Sequence, residues 1–283
     1  MQKKINLLII LIATFVFIGV AMFYDAIKLA PKRYTVRYET IISEEIPEQL
    51  NDVSILFFSD VHFNKYMDIN QFKDVVKLIN NTSSDVVVFL GDLIAQETTT
   101  LDNELNEQFK NLLKEIQAPL GKFAIFGEND LNSFSKKETV SDLLKKSGFE
   151  LINNKVIQIR NQGSQSINFV GLDSMVSGSN YSEVINHIPP SGFTISMSHE
   201  PDSFLKLPQE LIDIHISGHS LGGQIYVPFI GGLRRYDGAT TYYRGKYNID
   251  STKLFVTHGL STIEDDVRFL TNADVIVINL KTK

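Results

Sequence analysis

Five short segments spaced along the chain end in residues able to hold metal and phosphate. They are Ser59-Asp60-Val61-His62, Gly91-Asp92, Gly127-Glu128-Asn129-Asp130, Ser198-His199-Glu200 and Gly218-His219-Ser220-Leu221-Gly222-Gly223-Gln224. Carboxylate oxygen and imidazole nitrogen together suit zinc, manganese or iron. Asp60 and His62 lie just past an apolar run, where a tight turn can bring both to one centre. Asp92 follows Val-Val-Val-Phe-Leu-Gly and can offer one oxygen to each of two cations; the plainer reading is a helix N-cap for the segment from Leu93. His199 ends another apolar run, and a buried imidazole is costly unless paired or ligated. His219 precedes Gly222 and Gly223, and a glycine pair marks backbone that something approaches closely. Of the other histidines, His187 reads as surface, His215 as a satisfied core residue, and His258 as a strand-end residue before Gly259.

Such a set needs a frame that brings distant segments to one rim. Residues 53–59 (VSILFFS) and 85–90 (DVVVFL) are continuous apolar runs of strand length, and 122–126 is a third strand. Residues 71–80 carry Phe72, Val75, Val76 and Ile79 at helical spacing, and 103–117 carry Leu105, Phe109, Leu112, Leu113 and Ile116. Residues 139–146 read as a third helix, stopped by Gly148. Strands alternating with helices imply right-handed crossovers and a mostly parallel sheet, with ligands at the carboxyl ends of its strands. The second half reads as strands at 155–160, 167–172, 193–197, 212–217, 224–229, 241–246, 253–257 and 274–280, with few helices. The expected class is therefore α/β: two packed mixed β-sheets flanked by helices.

The 283 residues show no obvious repeat, and 43% apolar content is enough for a real core. Net charge is −6, so the overall field disfavours nucleic acid, and any phosphate must be held locally. With no cysteine, disulfides, thiolate zinc sites and cysteine nucleophiles are excluded. Residues 5–24 carry no charge; twenty residues of helix span roughly 30 Å, the thickness of a bilayer's hydrocarbon core. Lys3 and Lys4 precede this run as in a retained signal anchor, with a cleaved signal peptide as the competing reading. Lys28, Lys32, Arg33 and Arg37 follow it and lean toward a cytoplasmic domain. The short tail with its two lysines leans the other way, and we expect a single-pass cell-membrane protein with an extracytoplasmic catalytic domain.

From about Val53 to Leu280 the chain resembles the calcineurin-like metallophosphoesterase superfamily, whose motifs run Asp-x-His, Gly-Asp, Gly-Asn-His-Asp, Ser-His-x-Pro and Gly-His-x-His-Gly-Gly-Gln. It is most similar to the membrane-anchored branch of bacterial UDP-2,3-diacylglucosamine hydrolases. Residues 255–260 (FVTHGL) and Val267-Arg268-Phe269 look like that branch's closing strand and arginine. The apolar run gives an expected anchor over 1–24 and the polar stretch 25–50 a linker with a possible first strand at Tyr34 to Ile42; the resemblance implies one metallophosphoesterase domain over 51–283. It also implies two metal sites: one on Asp60, His62, bridging Asp92 and the second histidine of Gly-His-x-His, the other on Asp92, the asparagine of Gly-Asn-His-Asp, His199 and His219. The expected substrate is phosphorylated and lipid-linked or nucleotide-linked, with a monomeric protein and no nucleic acid.

Two of these motifs depart from the family pattern, at three positions. Glu128 stands where the metal asparagine belongs and Asn129 where the catalytic histidine belongs, while Leu221 replaces the other metal histidine. The expected ligands are thus Asp60, His62, Asp92, Glu128, His199 and His219, holding one or two divalent cations of manganese, zinc or iron. A register shift that makes Asn129 the metal amide is the alternative. The expected catalytic set is Asp92, Asn129 and His219. Asn129 can donate a hydrogen bond but cannot protonate a leaving group. A diester or pyrophosphate with a stable leaving group therefore fits; a weakened or inactive binding member of the fold is the alternative. Residues 226–233 (YVPFIGGL) before Arg234 and Arg235 read either as a buried strand and turn or as an apolar loop that meets lipid.

Overall fold

Alternate residues along the central strands face opposite ways, and both faces are apolar. In β2 (Ser54–Phe58), Ile55 and Phe57 enter one core while Leu56 and Phe58 enter another. In β3 (Val86–Phe89), Val86 and Val88 part from Val87 and Phe89 in the same way. A strand buried on both sides must be sandwiched, and the computed structural model, which describes residues 2–283, shows by what.

The first sheet has the order β1-β14-β2-β3-β4-β5, with β1 (Tyr34–Ser43), β4 (Gly121–Ala124), β5 (Phe149–Leu151) and β14 (Ala273–Thr282). Its pairs are parallel except β14 against β2. The second has the order β12-β13-β9-β8-β7-β6, with β6 (Lys155–Ile159), β7 (Ile167–Gly171), β8 (Thr194–Ser198), β9 (Ile214–Ser217), β12 (Gly245–Ile249) and β13 (Thr252–Val256). Only its two edge strands run antiparallel to their neighbours. Phe57, Val88 and Ile125 meet Phe169, Met197 and Ile216 between the sheets.

Three helices cover the first sheet: α2 (Ile69–Asn81), α3 (Asn103–Glu115) and α4 (Phe134–Lys146). The Asp68 carboxylate accepts from the N–H groups of Asn70 and Gln71, and the Gln71 side chain returns to the Asp68 N–H, which fixes where α2 begins. The outer layer on the second sheet is thin, with α5 (Ser182–Asn186) and short 3₁₀ turns over Phe204 and Leu207. Ahead of all this runs α1 (Gln2–Tyr24), apolar from Ile5 onward and exposed from Lys3 to Tyr24. It is long and apolar enough to cross a membrane. Residues 25–50 do more than connect: β1 pairs with β14 over ten residues from Tyr34↔Ala273 to Ser43↔Thr282.

Three expectations shift. The third helix starts at Phe134, not 139, because the Ser133 hydroxyl caps it by accepting from Lys136 N–H. The strand expected at 241–246 lies instead at Gly245–Ile249. The Asp202 carboxylate takes the N–H groups of Thr240, Thr241 and Tyr242, which therefore cannot join a ladder. The run 224–229 contributes only β10 (Tyr226–Val227), hairpinned to β11 (Gly231–Gly232).

Candidate metal centre

The parallel strands of both sheets end at one rim. Asp60 and His62 follow β2, Asp92 follows β3, Glu128 and Asn129 follow β4, His199 follows β8 and His219 follows β9. The turns are forced. Asp60, His62, Asp92 and His219 all hold left-handed backbone, with φ of 54°, 41°, 63° and 66°. Each costs about 1–3 kcal/mol outside glycine, and such strain gathers at functional sites. Close approach explains the glycine before Glu128: a Cβ on Gly127 would stand 2.1 Å from Asp92 Oδ1.

Two donor groups result. Asp60, His62 and Asp92 form one; Glu128, His199 and His219 form the other. Asp92 lies between them, its Oδ2 3.7 Å from His62 Nε2 and 3.3 Å from His199 Nε2. Glu128 Oε2 stands 3.1 Å from both His199 Nε2 and His219 Nδ1. Asp60 Oδ1 is 3.8 Å from the Nε2 of His62 and of His199.

Hydrogen bonds behind these groups set which atom faces the centre. His199 Nδ1 lies 2.7 Å from the Leu90 carbonyl, so it carries the proton and Nε2 presents its lone pair. His219 Nε2 donates likewise to the Asp237 carbonyl at 2.8 Å, leaving Nδ1 free. Asp60 Oδ2 accepts from the Ser59 hydroxyl at 2.5 Å and the His219 N–H at 3.0 Å, leaving Oδ1 free. The buried Asp60 Oδ1, His62 Nε2, Glu128 Oε2, His199 Nε2 and His219 Nδ1 have no hydrogen-bond partner. Buried polar atoms are seldom left bare, and five that converge fit a divalent cation or a pair of them.

The electrostatics agree. Burial would drive the imidazoles down, but Asp92 and Glu128 outweigh it and hold His199 well above its usual range. His219, against the same burial, is lifted to about 9 by Glu128. Burial likewise opposes Glu128, yet His199 and His219 hold it well below the usual carboxylate range. Three carboxylates in a water-poor pit call for positive charge, which is the field a cation meets.

Asn129 spends its polar atoms on Asp92, with its N–H 3.0 Å from Oδ1 and its Nδ2 2.5 Å from Oδ2. Leu221 is fully buried beside the first group: a Cβ on Gly259 would have Asp60 Cβ at 2.7 Å and Leu221 Cδ2 at 2.9 Å. Asp130, not among the expected site residues, accepts from the N–H groups of Asp92, Leu93 and Gly127 at 2.8–3.0 Å. Burial, with Asp92 adding to it, raises its carboxyl to about 6. Its place at the end of the Gly127–Asp130 segment was the available signal. A cavity of about 540 Å³ opens over the centre, lined by Glu128, Asn129, Tyr236 and Ile263 among others.

The other histidines stand apart. His187 is exposed. His215 is buried among the Ser196, Ser198 and Ser217 hydroxyls, and burial pushes it down to about 3. His258 bonds the Asn272 carbonyl and does not reach the centre. The buried-strand reading of 226–233 gives way to a hairpin whose tip is bare, with Phe229 and Ile230 at 107% and 73% exposure. Its arginines are engaged: Arg234 donates to Asp265 and Arg235 stacks on Tyr243.

Residues 53–223, more than half of the chain, match the calcineurin-like phosphoesterase family. The chain belongs to that family and is a metallophosphoesterase-type hydrolase. It is 29% identical over 255 residues to the uncharacterized metallophosphoesterase YkuE of Bacillus subtilis, covering 90% of this chain and 88% of that one. It is 24% identical to the UDP-2,3-diacylglucosamine pyrophosphatase LpxG of Chlamydia muridarum, covering 81% and 84%. It is 23% identical to the phosphodiesterase YaeI of Escherichia coli, covering 74% and 75%.

Proposed function

We propose that the chain hydrolyses a phosphodiester or pyrophosphate bond of a lipid-linked or nucleotide-linked substrate at a membrane surface. Manganese, zinc or iron would be held by Asp60, His62 and Asp92 on one side and by Asp92, Glu128, His199 and His219 on the other. The observation that carries this reading is the convergence of bare, buried donor atoms on Asp92 from both sheets. When bound, divalent cations supply Lewis acidity toward a phosphoryl oxygen and make water nucleophilic near neutral pH.

The chain's own residues do the rest. Asn129 fixes the Asp92 carboxylate, so both its oxygens keep their direction. Leu90 and Asp237 carbonyls hold His199 and His219 in the tautomers that face the centre. Asn129 has no proton to give at neutral pH, so the leaving group must depart as a stable anion; a pyrophosphate, which releases a phosphate monoester, and a diester of an acidic alcohol meet that demand. The relatives LpxG and YaeI, named as a pyrophosphatase and a phosphodiesterase, support this bond class. The apolar α1 supports a single-pass anchor, and we place the catalytic domain on the extracytoplasmic side.

Hydrolysis of bis-p-nitrophenyl phosphate with added manganese tests the reading, since its leaving group needs no acid. We expect turnover by wild type and a loss of at least ~10²-fold in Asp92→Ala. Equal inactivity of both across metals and substrates would end the enzyme reading.

A further inference from the structure

A second polar cavity, of about 490 Å³, opens where α1 joins the domain, and the phosphoesterase centre does not use it. Asp25, the first residue after α1, lines it with Arg33, Arg37, Arg244 and His258. Its height relative to α1 is fixed. Ala26 and Ala30 are buried in the domain, and the Arg268 N–H donates to the Ala26 carbonyl at 2.9 Å. If α1 spans a bilayer, as proposed above, this cavity opens at headgroup depth.

Its lining is made for an anion. Arg33 is paired with Asp25, and Arg37 lies 3.5 Å from Asp274. Arg244 has no carboxylate partner among the described residues; it donates to the carbonyls of Gly222 and Leu270 and to Thr271 Oγ1. Three arginines against two aspartates leave one net positive charge on the lining. Arg37 Nε is buried without an acceptor, an omission that folded proteins seldom leave unfilled. His258 Nδ1 faces the Asn272 carbonyl at 3.2 Å and so holds the proton, which leaves Nε2 an acceptor without a partner. Burial pushes His258 down to about 4, so it is neutral at pH 7.

We propose that this cavity is a headgroup site for an anionic phospholipid, with the phosphodiester at Arg33, Arg37 and Arg244 and a headgroup hydroxyl donating to His258 Nε2. A phosphate group supplies the missing acceptor, and a glycerol-type headgroup supplies the missing donor. The cavity also borders the catalytic loop, because Arg244 holds the Gly222 carbonyl three residues past His219.

Native mass spectrometry of the full-length chain in neutral detergent tests this, with phosphatidylglycerol, phosphatidylcholine and inorganic phosphate as the added probes. We expect one tightly retained phosphatidylglycerol, held at least about fivefold more tightly than phosphatidylcholine, an effect that added salt weakens. Arg33→Gln removes one of the cations. Asn272→Asp keeps the side-chain shape and places a new carboxylate where Arg33 now donates at 3.3 Å. Each should weaken phosphatidylglycerol about fivefold, the effect of one basic residue near a surface, with the lipid-free melting temperature unchanged. Equal retention of the two lipids, or variants that hold phosphatidylglycerol like wild type, would overturn the proposal. Retention of inorganic phosphate but not lipid would overturn the lipid assignment. Alkaline carbonate extraction separates the two readings. A chain released from membranes defeats the anchor, whereas a chain that stays but ignores phosphatidylglycerol defeats only this site.

Discussion

Glu128, Asn129 and Leu221 are the residues at which the sequence reading parts this chain from the family pattern, and for Asn129 and Leu221 the geometry says what each side chain does. Leu221 is buried beside Asp60, so the first donor group offers Asp60, His62 and Asp92 and no fourth side chain. Three protein ligands still describe a catalytic metal site, but a weaker one. Asn129 stiffens Asp92 and donates no proton. The double variant Leu221→His with Asn129→His should therefore divide its effects. The new ligand is expected to tighten the weaker cation. The new acid is expected to raise turnover ~10²–10⁴-fold on alkyl phosphodiesters and little on bis-p-nitrophenyl phosphate. Steady-state rates on the two substrates check this, and an equal gain on both would contradict the leaving-group argument. The donor residues that converge were legible in the sequence because each follows an apolar run that reads as a strand ending at a common rim. Asp130 and the Leu90 and Asp237 carbonyls were not, because their work lies in backbone bonds that only the folded turns create.

At the scale of elements, the central strands were legible because both their faces are apolar, as in β2 and β3. The edges were not. β12 and the β10–β11 hairpin take their limits from Asp202, which captures three backbone N–H groups, and from a turn that leaves Phe229 bare. β9 carries a pH dependence of its own. His215 is buried on it, neutral, with a folded pKa of about 3 against an unfolded value near 6.5. Between those values the unfolded chain binds the extra proton. The His215 contribution to stability is therefore fully present above about pH 6.5 and is lost progressively as pH falls toward 3. Denaturant unfolding from pH 7 to pH 4 is expected to show falling stability, with a shallower slope in His215→Gln. An identical slope in the variant would assign the acid sensitivity to other groups.

The whole molecule joins an apolar α1, too exposed to serve as a core helix, to two sheets whose parallel strands share one rim. Composition alone made legible a helix long and apolar enough to cross a membrane; the cavity beneath it was not, because Arg244 and His258 come from the far end of the sequence. The central claim concerns that common rim: strand ends of both sheets deliver donors to divalent cations around Asp92. Metal analysis of the purified full-length chain tests it most directly. After dialysis we expect one firmly held cation per chain, at Asp92, Glu128, His199 and His219, and a second on titration with excess manganese. Asp92→Ala should lose both. A wild-type chain that takes up no metal at saturating manganese, or an Asp92→Ala variant that takes up as much as wild type, would contradict the account.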